Sequence, residues 1–287
     1  MTQSTLLTAE LSTRGIVQLN GVLEHGWIAR ANEFLDNQFS EVGDGMRTYV
    51  GADSLAEAGL LKSLFTDRLR SVVNGIYDEP VVLYHCHVYE IEAASNKPHI
   101  HRNNLDGWHR DVETVACYRR EVPDYVSIFV YLNPVGPDGG PFELVPRPPT
   151  RRPGKGTPCV SVVGDAGTTF AWNRSYFHRA APNRSPVRRR VLKLSLQPAR
   201  LPHDRMTQPE FTRARDLSGD NPFVHGLLSL GVVPPENDLL GPNAIGVFPI
   251  ARTLDFSALH VAGYHALRAR ALVGRGTRVL AAVGRRE

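Results

Sequence analysis

Eleven histidines are spread along the chain, and imidazole is the commonest neutral protein ligand for a transition metal. Three pairs have a spacing that lets two side chains meet one ion: His85 with His87, His99 with His101, and His109 with Asp111. Residues two apart on a strand point to the same side, so each pair could offer two ligands to a single metal. Spacing alone does not choose among them.

Residues later in the chain make the choice. A mononuclear iron oxygenase needs two imidazoles and one carboxylate on one face of an octahedron, with the other positions open to a 2-oxo acid and dioxygen. His109-Arg110-Asp111 supplies one imidazole and the carboxylate. A later β-rich run, Thr168 to Trp172, leads through a turn to His178, which completes a set of two histidines and an aspartate. Beyond it stand Arg188, Arg189 and Arg190 at the opening of the next β-run. A guanidinium there could hold the far carboxylate of a co-substrate in a bidentate fork, and one residue of register decides which of the three faces inward. His85 and His87 read as a core histidine alternating with one near the pocket. His99 and His101 read as loop or pocket-lining residues.

These groups need a scaffold. Helical spacing at Trp27, Ile28, Ala31, Phe34 and Leu35, and again at Leu55, Leu60, Leu61, Leu64 and Leu69, predicts two or three helices before residue 80. From Val81 the texture becomes short β-rich runs: Val81 to Ile91, Tyr125 to Leu132, Phe142 to Pro146, Cys159 to Val163, Thr168 to Trp172 and Arg190 to Gln197. Turn residues such as Gly136-Pro137-Asp138-Gly139-Gly140-Pro141 separate them. Many short strands after a helical start predict a mainly β fold with flanking helices, of jelly-roll or cupin architecture. The Pro/Arg-rich loop from Val145 to Pro158 divides strands, not domains. The expected organisation is one domain: a helical buttress over 1–80, the β core over 81–200, and a loop and helix extension over 201–287 with an amphipathic helix from Ser257 to Val273.

The bulk numbers agree with a globular enzyme: 287 residues, 42% hydrophobic and 22% charged. No stretch of about 18 uncharged apolar residues is present, and the start lacks a basic and apolar leader pattern, so no membrane partner and a cytoplasmic location are expected. Three widely spaced cysteines, Cys86, Cys117 and Cys159, make no disulfide framework and no Cys-x-x-Cys site. The net charge of +4 gathers in arginine clusters, but no nucleic-acid-binding module accompanies them, so no nucleic-acid partner is expected.

Three segments together resemble the phytanoyl-CoA dioxygenase family of iron(II)/2-oxoglutarate oxygenases. They are Trp108-His109-Arg110-Asp111, then Tyr131-Leu132-Asn133-Pro134 followed by Gly139 to Pro146, and His178 to Asn183 with a basic residue at Arg189. The resemblance spans roughly residues 80–200 and implies a double-stranded β-helix core. It implies that iron(II) is held by His109, Asp111 and His178, that 2-oxoglutarate is held by Arg189 with Trp108 beside it, and that dioxygen is consumed with release of succinate and carbon dioxide. Trp172, Phe142 and Arg147 are the expected substrate-facing residues. The family continues its Val-Pro segment with Gly-Ser-His, whereas here Val145-Pro146 runs into Arg147-Pro148-Pro149, so the substrate is not borrowed from a relative. Asp111 is a carboxylate where the related halogenases carry a small residue, which implies hydroxylation, desaturation or cyclisation. The expected substrate is a small-molecule intermediate of secondary metabolism; the basic mouth favours an acidic one, and neutral polycyclic substrates stay open. Two other readings suit such a barrel: a cupin-like metal enzyme that does not use 2-oxoglutarate, and a non-catalytic small-molecule-binding barrel.

Overall fold

The computed structural model describes residues 3–39, 48–77, 79–96, 98, 106–110, 125–146, 153–154, 156–199, 208–228 and 252–253. Asp111, His99, His101, Arg147 and the Ser257 to Val273 segment lie outside the described residues.

The chain opens with α1 (Gln3–Thr13), β1 (Ile16–Leu19) and α2 (His25–Phe39). Helix α2 buries Trp27, Ile28, Ala31 and Leu35 on one face, and the Trp27 indole N–H donates to the Leu60 carbonyl at 3.1 Å. After β2 (Thr48–Gly51) come three short helices, α3 (Ala52–Glu57), α4 (Leu60–Leu64) and α5 (Asp67–Ile76). Leucine spacing alone suggests fewer helices here. The run is cut at Gly59, whose left-handed φ of 69° turns the chain. It is cut again at Thr66, whose hydroxyl caps α5 by accepting from Leu69 N–H.

The β-rich half matches the sequence reading closely: β3 (Val81–Ile91), β4 (Val126–Tyr131), β5 (Phe142–Leu144), β6 (Val160–Val162), β7 (Thr169–Asn173), β8 (His178–Ala180) and β9 (Arg189–Pro198). Beyond them the described residues form α6 (Gln208–Leu217), α7 (Pro222–Leu227) and β10 (Arg252–Thr253). Among the described residues a seven-stranded sheet runs β1-β7-β4-β9-β3-β2-β10, and a three-stranded sheet runs β6-β5-β8. All pairings are antiparallel. This is the jelly-roll core expected from the sequence.

The large sheet has two different faces. Val88, Ile128, Val130, Leu192, Leu194 and Leu196 point outward into a core shared with the helices. Tyr89, Phe129, Tyr131, Phe170, Trp172 and Val191 point inward toward Phe142, Leu144 and Val162 of the small sheet. Each fully buried Leu or Val adds about 1.5–3 kcal/mol by leaving water. The outer core holds the sheet against the helices, and the inner face packs against the small sheet. The expectation that His85 and His87 alternate between core and pocket is corrected here: both occupy the inward side of β3, with ring centroids 4.1 Å apart.

One buried acid links α6 to α3. Glu210 accepts from the Ala52 N–H at 3.2 Å, and burial, reinforced by Asp53, pushes its carboxyl up to about 8. Burial pushes the Asp53 carboxyl upward as well. The folded chain thus keeps a proton that the unfolded chain releases, so stability should fall as pH rises from the ordinary carboxyl range to about 8 and level off above it. Glu210→Gln keeps the acceptor and removes the charge. Its melting temperature should match wild type near pH 5 and exceed it near pH 9; parallel pH profiles of the two proteins would refute this assignment.

Candidate active site

The small sheet and the segment before it bring two imidazoles together. His109 N–H donates to the His178 carbonyl at 3.0 Å and His178 N–H to the His109 carbonyl at 2.9 Å. This reciprocal pair is an isolated antiparallel bridge beside β8. Their rings lie 4.3 Å apart, centroid to centroid. Asp106 and Gly107, with φ of 53° and 82°, turn the chain into this position.

The tautomers follow from hydrogen bonding. His109 Nδ1 is 2.8 Å from the Gly107 carbonyl and His178 Nδ1 is 3.1 Å from the Tyr176 carbonyl. A carbonyl can only accept, so each Nδ1 carries the proton and each Nε2 presents its lone pair. Imidazoles that bind metals are oriented in this way. Among the described residues no three His, Cys, Asp or Glu side chains converge as a metal site, and Asp111 lies outside them.

Arg179, the residue after His178, ties the two histidine segments to each other. Its Nε donates to Glu143 Oε2 at 2.7 Å, and its Nη1 donates to the Asp106 carbonyl at 2.8 Å and to the Asp106 carboxylate. The guanidinium lies 4.6 Å over the Trp108 ring. Sequence reading missed Arg179 and Glu143. Their pairing is a cross-strand register match between β5 and β8, a contact invisible until those two strands are known to be neighbours.

The walls are aromatic. The Trp172 ring lies 4.1 Å from that of His178, and Phe142 stacks on His178 at 5.5 Å and 22°. Phe129 meets Trp172 edge-on at 5.4 Å. Trp172 and Phe142, both expected to face substrate, therefore stand directly beside one of the two imidazoles. Trp108, expected beside the co-substrate, is buried beneath Arg179.

At the other end of the inner wall the three arginines take three positions. Arg190 points outward, its Nη2 2.7 Å from Glu90 and 2.9 Å from Asp36. Arg188 lies 3.7 Å from Glu90. Arg189 points inward and is only 1% exposed. Asn133 fixes this register by gripping the backbone on both sides: its Oδ1 accepts from Arg190 N–H at 2.7 Å and its Nδ2 donates to the Arg188 carbonyl at 3.0 Å. Arg189 Nη1 donates to the Gly140 carbonyl. Its Nε and Nη2 are buried and have no hydrogen-bond partner among the described residues. The carbonyl can approach because residue 140 is glycine: it sits at a φ of 69°, and a Cβ there would come within 2.9 Å of the Ala181 carbonyl. Above lies Tyr131, whose hydroxyl donates to the Val162 carbonyl and accepts from Phe142 N–H, both at 2.9 Å.

The family model for phytanoyl-CoA dioxygenase matches residues 12–191. The chain belongs to that family. It is, with its family, an iron(II)- and 2-oxoglutarate-dependent oxygenase. Solved structures share the fold at low identity. The α-ketoglutarate-dependent epimerase SnoN from nogalamycin biosynthesis superposes with a TM-score of 0.53 at 18% identity, covering 68% of this chain and 83% of that one. EctD from S. alaskensis, solved with 2-oxoglutarate and 5-hydroxyectoine, gives 0.52 at 14% identity, covering 69% and 77%. HygX from Streptomyces hygroscopicus, solved with nickel and 2-oxoglutarate, gives 0.51 at 17% identity, covering 69% and 87%. A search of curated proteins finds no match. No described helix is long and apolar enough to cross a membrane.

The Arg179 network yields a direct test of how this oxygenase holds its histidines. Breaking a mostly buried ion pair while keeping the side-chain bulk, as in Arg179→Met, should cost about 2 kcal/mol and lower the melting temperature by about 4–8 °C. Amide exchange at His109 and His178 should accelerate in the same variant. Unchanged melting and unchanged exchange would remove Arg179 from this role.

Proposed function

We propose that iron(II) is held by His109, Asp111 and His178, that 2-oxoglutarate is held through its distal carboxylate by Arg189, and that the substrate is a small molecule of biosynthetic metabolism. The observation that carries this reading is Arg189: a guanidinium 1% exposed, with Nε and Nη2 lacking partners among the described residues. Two adjacent N–H donors in a buried fork fit the two oxygens of a carboxylate. The imidazoles fit a metal, since each has its Nδ1 committed to a carbonyl and its Nε2 left as the donor nitrogen.

Iron and 2-oxoglutarate, when bound, supply the oxidising power, coupling oxygen consumption to succinate and carbon dioxide release. The protein's part is positional. The His109–His178 bridge holds both imidazoles rigidly, and Asp111 two residues along supplies the carboxylate that the described pair lacks. Trp172, Phe142 and Phe129, all buried, pack around His178 and keep water from it, and Trp172 and Phe142 are the rings nearest to where a substrate would meet the metal. Trp108 holds its segment in place beneath Arg179. Arg147 belongs to the loop that would border the mouth. Abstraction of hydrogen at a carbon held there would lead to hydroxylation, desaturation or cyclisation. Biosynthesis is favoured by a fold shared with an epimerase of nogalamycin biosynthesis. A cytoplasmic setting accords with the free thiols of Cys86 and Cys159.

Asp111→Ala should abolish 2-oxoglutarate turnover, because two imidazoles alone bind iron(II) weakly. Succinate release at the wild-type rate from that variant would remove Asp111 from the site. Arg189→Ala should raise the KM for 2-oxoglutarate by roughly 30- to several-thousand-fold, the consequence of losing about 2–5 kcal/mol of charge pairing. Arg190→Ala, whose partners are outside the cavity, should leave that KM within about threefold of wild type. Oxygen uptake that ignores 2-oxoglutarate would instead favour a cupin-like metal enzyme.

A further inference from the structure

The inward positions of β9 are Arg189, Val191, Lys193 and Ser195, alternate residues of one strand. Register sets what lies opposite. On β3 the partners are Ile91, Tyr89, His87 and His85 in that order. On β4, Tyr131 lies opposite Val191, Phe129 opposite Lys193 and Ser127 opposite Ser195. The wall therefore changes character along its length. It is apolar and aromatic next to Arg189, and from Lys193 onward it carries an ammonium, two imidazoles and two hydroxyls.

The outward side of the same strands is entirely apolar over this stretch, with Cys86, Val88, Ile128, Leu192 and Leu194. Ser127 and Ser195 satisfy each other, Oγ to Oγ at 2.9 Å. Lys193 lies with its Nζ 5.8 Å from the ring centroids of both Phe129 and Trp172, within cation–π range of each. Trp172 is the ring packed 4.1 Å from His178. The ammonium is thus separated from the candidate metal ligand by a single indole.

We propose that Lys193, flanked by His87 and His85, anchors a carboxylate of the substrate in a subsite separate from that of Arg189. The inference rests on the reading of Arg189 as the co-substrate anchor. Four residues of extended strand put the Cα atoms of Arg189 and Lys193 about 13 Å apart along β9, with Tyr131 beside the guanidinium and Phe129 and Trp172 beside the ammonium. One ammonium balances a single carboxylate better than a phosphate dianion. The rings of Phe129, Trp172, Tyr89 and Tyr49 around this stretch suit an unsaturated or aromatic body. The substrate class is accordingly an aromatic or polyunsaturated monocarboxylic acid.

The test uses the full chain loaded with nickel, which does not turn over, and 2-oxoglutarate. 2-Naphthoate and 2-naphthamide are titrated by calorimetry into wild type, Lys193→Met and Lys193→Arg. The acid should bind wild type about tenfold or more tightly than the amide. Lys193→Met should bring the two ligands to equal affinity, and Lys193→Arg should restore part of the preference. Nickel and 2-oxoglutarate should bind Lys193→Met within about twofold of wild type. Equal binding of acid and amide by wild type, or no saturable binding of either at millimolar concentration, overturns the proposal. A large loss of 2-oxoglutarate or nickel affinity in Lys193→Met also overturns it, by assigning the lysine to the co-substrate or the metal. Wild type that binds nickel but not 2-oxoglutarate refutes the parent reading of Arg189 and this inference with it. Wild type that binds 2-oxoglutarate without acid-over-amide preference refutes this inference alone.

Discussion

A guanidinium is rarely buried, because the charge gives up its hydration and each N–H needs an acceptor. Arg189 sits inside an aromatic wall with one N–H group on the Gly140 carbonyl, and much of the surrounding architecture serves to keep it there. Asn133 grips the residues before and after it. Arg190 is drawn outward by Glu90, Asp36 and Asn32. A slip of one residue would bury Arg188 or Arg190 and expose Arg189, and every one of these contacts would be lost with it. Of the outward ion pairs, Arg190–Glu90 is mostly buried and Arg190–Asp36 partly exposed, and together they fix which cation faces inward.

The two-faced sheet makes such an interior tolerable. Its outer side is packed with leucine, valine and isoleucine against the helices, a core separate from the aromatic one inside. The inner side can then carry rings, an arginine, a lysine and histidines. The small sheet contributes His178 and Phe142 and is joined to His109 by a reciprocal backbone pair.

The strands of the core were legible because turn-forming Gly, Pro and Asn separate runs of β-branched and aromatic residues; β3 spans Val81–Ile91, the run read from the sequence. Helix α2 was legible from its buried stripe. Helix α1 and strands β1 and β2 were not, since they are short or lack a periodic apolar pattern and are defined by tertiary partners such as the β1–β7 pairing. In the site, His109 and His178 were singled out by residue type, chain order and the family resemblance, whereas strand register among Arg188, Arg189 and Arg190 was legible only in the fold, which turns Arg189 inward. Arg179, Asn133 and Lys193 were passed over, because each matters through a neighbour on another strand. Lys193 shares strand and parity with Arg189, a signal present in the sequence once Arg189 is taken to face inward.

The central claim is that His109, Asp111, His178 and Arg189 form one site for a metal and a 2-oxo acid. It is tested most directly by a crystal structure of the protein with nickel and 2-oxoglutarate, with the metal located by anomalous scattering. The account requires one anomalous peak within coordination distance of His109 Nε2 and His178 Nε2, with Asp111 as third protein ligand and the distal carboxylate on Arg189 Nε and Nη2. A peak elsewhere, or a 2-oxoglutarate that leaves Arg189 without a carboxylate, would contradict it.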